Sequence, residues 1–158
     1  MLKNFRKGID KLKEQNQLIN AHVKTYYDDA AGQDYLDFFT RIINKMIGGE
    51  RSSIFINDPE NETVWLEVGT GIERKQITVS QAGSMVGGVI ASGEARINND
   101  MQAQEGAHKE VDSATGFTTR NAICVPVKSL DGKRVTGAIQ VLNKNNAEPF
   151  GEDDQKWL

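Results

Sequence analysis

An α+β fold, an antiparallel sheet of about six strands with helices at both ends of the chain, is predicted by three observations. Apolar residues recur at helical spacing up to Gly49, then change to short strand-like runs separated by turn residues, and a helix start reappears after Pro149. Two pairs of those runs are joined by short turn-forming segments, the mark of antiparallel hairpins. At 158 residues the chain is long enough to bury a core without disulfides or metals.

The first element is a heptad pattern. Leu2, Phe5, Ile9, Leu12, Asn16, Ile19, Val23 and Tyr26 alternate spacings of three and four, with Asn16 at an a-type position where a buried amide sets register in a parallel dimer. Two readings stand: a homodimer through the N-terminal helix, or an amphipathic helix packed on its own domain. Six Lys or Arg against two acids in the first 24 residues give this segment a basic face. Tyr27 to Gln33 interrupts the pattern. A second helix follows from about Tyr35 to Ile47, with Asp34 as N-cap, Leu36, Phe39, Ile43 and Met46 as its apolar stripe, and Gly48-Gly49 as its stop. The expected division is 1–33 for the heptad helix and linker and 34–158 for one folded domain.

Strands occupy most of the remainder. Ser53–Ile56 and Thr63–Val68 form a hairpin across Asn57-Asp58-Pro59-Glu60-Asn61, and Gln76–Val79 is a third strand. Ser84–Ser92 reads as a small-residue helix ended by Gly93, and Ala95–Asn98 as a fourth strand. A polar segment from Asn99 to Thr118 leads to Asn121–Val127 and Arg134–Leu142, joined across Asp131-Gly132. The run Phe150-Gly151-Glu152-Asp153-Asp154 opens a C-terminal helix that stops at Leu158 after its first turns, which suggests a longer parent protein with an effector beyond.

Composition narrows the function classes. A net charge of −3 without basic runs interleaved with aromatics argues against nucleic-acid binding. No stretch reaches the ~20 apolar residues of a membrane span and no signal-peptide core follows the N-terminus, so the chain reads as cytoplasmic. One Cys and two His, His22 and His108, make no metal-ligand spacing, and Cys124 in an apolar strand reads as a core residue. No strained turn sets a nucleophile, and Gly69-x-Gly71 lacks the rest of a dinucleotide fingerprint. No catalytic residue, metal or cofactor is expected.

The stretch from Glu110 to Asn121, with Thr115-Gly116-Phe117 at its centre, is followed by Cys124-Val125-Pro126-Val127 and by Gly137 to Lys144. Together with the opening Arg51-Ser52-Ser53-Ile54-Phe55, it resembles a GAF domain of the subclass found in cyclic-nucleotide phosphodiesterases and bacterial adenylate cyclases, over about Glu50 to Leu158. Asn143, Lys144, Phe150 and Asp154 match a family signature in which Gln155 replaces the usual Glu. The resemblance implies that Lys144 and Asp154 form a structural ion pair between the last strand and the C-terminal helix. If that pair is buried, losing one partner would cost ~3–5 kcal/mol.

The resemblance also implies terminal helices on one face of the sheet and, on the other, a pocket between the sheet and helices beginning near Ser84 and in the Asn99 to Thr118 segment. It places ligand contacts at Ser53, at Asp112, Thr115 and Thr119 in the loop, and at Gln140. Met85, Val86 and Gly87 at the start of the Ser84 helix would admit a cyclic phosphate close to free backbone N–H groups. Tight packing of small residues on the sheet explains that helix equally well. Val68-Gly69 stands where cGMP binders carry a Phe-Asp pair, which argues against cGMP preference. Gln104-Glu105-Gly106-Ala107 lacks the usual aromatic wall. The implied function is a regulatory sensor that binds a cyclic nucleotide or related small ligand and relays it through terminal helices to an effector. The alternative is a ligandless dimerisation or linker module.

Overall fold

The computed structural model describes residues 30–72 and 77–158. The chain separates into two units, Met1–Leu36 and Asp37–Leu158, and the sheet lies wholly in the second. The heptad of residues 2–26 falls outside the described residues.

Helix α1 spans Ala30–Ile47, so its described part begins earlier than the sequence suggests and Asp34 lies inside it rather than capping it. Ala30, Ala31 and Gln33 are good helix formers, and the single Gly32 costs only about 1 kcal/mol, too little to break the run. The buried face within the second unit also differs. Thr40 is fully buried and Ile47 nearly so, whereas Met46 is 57% and Phe39 39% exposed. A hydroxyl can occupy this face because Thr40 Oγ1 donates to Asp37 O at 2.8 Å, and Thr40 O accepts from Ser52 Oγ at 2.7 Å.

Six strands follow: β1 Gly49–Asp58, β2 Thr63–Gly69, β3 Thr78–Ser80, β4 Arg96–Asn98, β5 Ala122–Lys128 and β6 Val135–Lys144. They form one sheet in the order β3-β2-β1-β6-β5-β4, antiparallel at every pair. The first and last strands of the chain's sheet run, β1 and β6, are therefore its central pair. Strand β3 begins at Thr78; Gln76, its expected start, falls outside the described residues. Gly132, at φ 69°, completes the turn between β5 and β6, where Asp131 Oδ1 accepts from Ser129 Oγ and Lys133 N.

Side-chain alternation sends the strands' residues to two faces. Ile123 and Val141 meet Ile43 and Ile47 of α1, and Phe150 and Leu158 beside helix α4, Glu152–Trp157. Phe55, Leu66, Cys124 and Ala138 point the other way and pack on Val86, Val89 and Ile90 of helix α2, Met85–Ser92. The terminal helices thus share one face and α2 covers the other. Ser84 caps α2, its Oγ accepting from Gly87 N at 3.0 Å, and Gly93 ends it in the left-handed region at φ 67°.

Helix α3, Ala107–Thr115, ends at Gly116 with φ 67° and occupies the segment that reads in sequence as polar and loop-like. Asp112 and Thr115 therefore stand on a helix, not in a loop. None of its residues is buried outright, which is why no apolar periodicity announced it. Lys144 Nζ lies 2.6 and 2.8 Å from the two Asp154 oxygens, joining β6 to α4, and Asp154 Oδ2 also accepts from Gly151 N at 2.8 Å.

Candidate functional site

The candidate site is a cavity between the α2 face of the sheet, the start of α2 and the inner side of α3. Alternation along β1 brings Arg51, Ser53 and Phe55 to one row, and Gln140 and Leu142 of β6 line up beside them, Ser53 opposite Gln140 and Arg51 opposite Leu142. Ser84, Met85 and Val86 close a second side; His108, Val111, Asp112 and Thr115 of α3 close a third, with Phe117 and Thr119 beyond it. Its volume is about 70 Å³. Ligand pockets commonly measure roughly 300–1,000 Å³, so the cavity is too small as it stands for a nucleotide-sized molecule.

Seven of the eight positions named from sequence line this one cavity: Ser53, Met85, Val86, Asp112, Thr115, Thr119 and Gln140. The eighth, Gly87, does not. Its N–H already serves Ser84 Oγ, and a Cβ there would sit 2.0 Å from Gln81 O. Its small size serves close packing of α2 on the Gln81 backbone.

The polar groups hold one another. Asp112 Oδ2 accepts from Thr119 N and Oδ1 from Thr119 Oγ1, both at 2.7 Å, so one carboxylate pins the segment that follows α3. Thr119 is 1% exposed, which makes this pairing obligatory while the cavity is shut. Thr115 Oγ1 donates back to Val111 O at 2.8 Å. His108 Nε2 lies 2.9 Å from Met101 O, which fixes Met101, itself 2% exposed, as a plug in the cavity wall.

Behind Thr119 the chain is gripped from the far side. Asn143, 1% exposed and at φ 56°, accepts at Oδ1 from Arg120 N at 2.7 Å and donates from Nδ2 to Thr118 O at 2.8 Å and Glu50 Oε2 at 3.0 Å. Glu50 also pairs with the Arg120 guanidinium. The Asn143 hydrogen bond, with Arg120 and the charge of Arg51, outweighs partial burial and holds the Glu50 carboxyl below its ordinary 4.5.

Twelve of the nineteen lining residues were not named from sequence as site residues, among them the charged, aromatic and plugging side chains of Arg51, Met101, His108 and Phe117. The Arg51 guanidinium lies over the Phe117 ring, 3.9 Å from its centroid, so an aromatic wall is present although the segment before Glu110 lacks one. The signal available for Arg51 was its position two residues before Ser53 on the same strand face. Among the described residues no three His, Cys, Asp or Glu side chains cluster as a metal site would require, and no helix is long and apolar enough to cross a membrane.

Known proteins resemble this chain in sequence and in fold. The chain is 24% identical over 157 residues to the probable 3',5'-cyclic phosphodiesterase pde-5 of Caenorhabditis elegans, covering 92% of this chain and 21% of that one. It is 36% identical over 84 residues to the dual 3',5'-cyclic-AMP and -GMP phosphodiesterase 11 of Drosophila melanogaster, covering 53% and 6%. It therefore spans about a fifth or less of these curated relatives. Among solved structures, the GAF domain of an Acinetobacter phosphoenolpyruvate-protein phosphotransferase superposes with a TM-score of 0.65 at 18% identity, covering 91% of this chain and 85% of that one. A free methionine-R-sulfoxide reductase from Neisseria meningitidis gives 0.63 at 18%, covering 85% and 75%. These likenesses speak to the fold. The GAF domain profile matches residues 33–158, and the chain belongs to the GAF domain family.

Proposed function

We propose that this chain is the regulatory sensor of a longer signalling protein, binding a cyclic nucleotide or related small ligand in the cavity beneath α2 and α3 and relaying occupancy through its terminal helices to an effector. The observation that carries this reading is the convergence of Ser53, Asp112, Thr115, Thr119 and Gln140 on one cavity beside the start of α2. Hydroxyls, an amide and a carboxylate match the mixed donors and acceptors of a purine and ribose. The phosphodiesterases that the chain resembles act on cyclic nucleotides, as their names state, and are far longer than the matched stretch. The domain supplies regulation and the chemistry belongs to another part of the parent protein. It works as a homodimer through the heptad of residues 2–26, in the cytoplasm.

Binding requires the cavity to grow. Breaking the Asp112–Thr119 bonds releases the segment after α3, and ligand shifts the population toward that open-then-closed form. Calorimetric titration with cAMP and cGMP tests the reading: heat of binding to wild type, with at least a tenfold loss in Thr119→Val, is expected. No heat for either nucleotide at millimolar concentration refutes it.

The volume of about 70 Å³ and the internally satisfied Asp112 favour a second reading, a ligandless dimerisation or linker module. Mass spectrometry of a denatured purified sample separates the two, since a co-purified small molecule excludes the second.

A further inference from the structure

We propose that Arg51 reads the charge of the ligand: the molecule this cavity admits is an anion, and the guanidinium of Arg51 pairs with its negative group. The inference rests on the reading of the cavity as a ligand site and goes beyond it by naming the residue that pairs with the ligand's negative group.

Arg51 and Asp112 are the two residues of opposite fixed charge in the lining. The carboxylate is spoken for, since each of its oxygens accepts a hydrogen bond from Thr119. The guanidinium is not: among the described residues its contact is the face of Phe117, and Glu50, the carboxylate that feels its charge, is already held by Asn143 and Arg120. Stacking on a ring uses the guanidinium's face and leaves its in-plane N–H donors for acceptors. Those donors reach solvent, since none of them is a buried atom lacking a partner, and a ligand with two adjacent anionic oxygens would replace that water in the bidentate geometry that guanidinium favours.

Position supports the same assignment. Arg51, Ser53 and Phe55 form one row on β1, so the cation stands at one end of the cavity, the Ser53–Gln140 pair next to it and the apolar side chains beyond. A ligand with its anionic group against Arg51 and Phe117 presents its polar edge to Ser53 and Gln140.

Wild type, Arg51→Gln and Arg51→Lys are titrated with cAMP, with inorganic pyrophosphate and with the neutral nucleoside adenosine, at low and high salt, after thermal unfolding has shown each variant folded. Arg51→Gln is expected to weaken both anions roughly tenfold or more, Arg51→Lys to recover part of that loss, and adenosine to bind all three alike. Added salt should weaken the anions on wild type more than on Arg51→Gln. Equal losses for adenosine and cAMP, or an anion affinity untouched by Arg51→Gln, overturn the role of Arg51 while leaving the sensor reading in place. Pyrophosphate bound through Arg51 without cAMP or cGMP binding refutes the cyclic nucleotide and keeps the charge assignment. A wild type that binds neither anion overturns the charge assignment itself.

Discussion

Cys124 sits at the centre of β5 with no exposed surface, and burial pushes its thiol up to about 12 despite the opposing influence of Arg96 on the neighbouring strand. Thiolate is the reactive form, so a thiol reagent at pH 8 is expected to label the native protein only as fast as the sheet opens, and at once in denaturant. Rapid labelling of the folded chain would contradict this. The sequence reading of Cys124 as core rested on its apolar neighbours. Seven of the eight positions named from sequence line the cavity, and they could be named because the GAF resemblance implied them, not because any local pattern marked them. Arg51 and Phe117 could not be paired beforehand, because their contact joins β1 to the segment after α3 across 66 residues of chain and no local pattern encodes it.

Elements with strong periodicity or punctuation were readable: α2 between Ser84 and Gly93, and both hairpins at their turns. Helix α3 was not readable in the residues themselves, because it buries no residue and only Gly116 marks an end; the GAF resemblance alone implied a helix in the Asn99 to Thr118 segment. Half of the α1 stripe was misplaced: Leu36 and Ile43 are on the buried side as read, but Thr40, its hydroxyl satisfied locally, and Ile47 take the places expected of Phe39 and Met46. At the same scale, Glu50 fastens β1 to β6 and to the segment after α3 through Asn143 and Arg120. Its carboxyl lies below the ordinary 4.5 in the folded state, so its contribution is fully present above that range and is lost as pH falls through the lower folded value. Thermal unfolding of wild type and Glu50→Gln should differ at pH 6, by under about 1 kcal/mol for so exposed a group, and converge as pH falls below the carboxylate range. A gap that widens in acid would reverse the assignment.

On the scale of the whole molecule, the antiparallel sheet with its helices followed from sequence because period changes and turn residues agreed with one another. The strand order required the fold itself, since pairing between β1 and β6 spans nearly the length of the domain. The proposed dimer belongs to this scale. Asn16 at an a-type position predicts that Asn16→Leu changes the oligomeric order measured by light scattering, and a monomer both before and after substitution would remove the coiled coil from the proposal.

Gly49 pairs with Lys144 and Asn145 N donates to Gly48 O at 2.7 Å, so the polypeptide comes into the sheet and goes out of it at one doorway. Such a unit can be spliced into a longer chain without prising its neighbours apart.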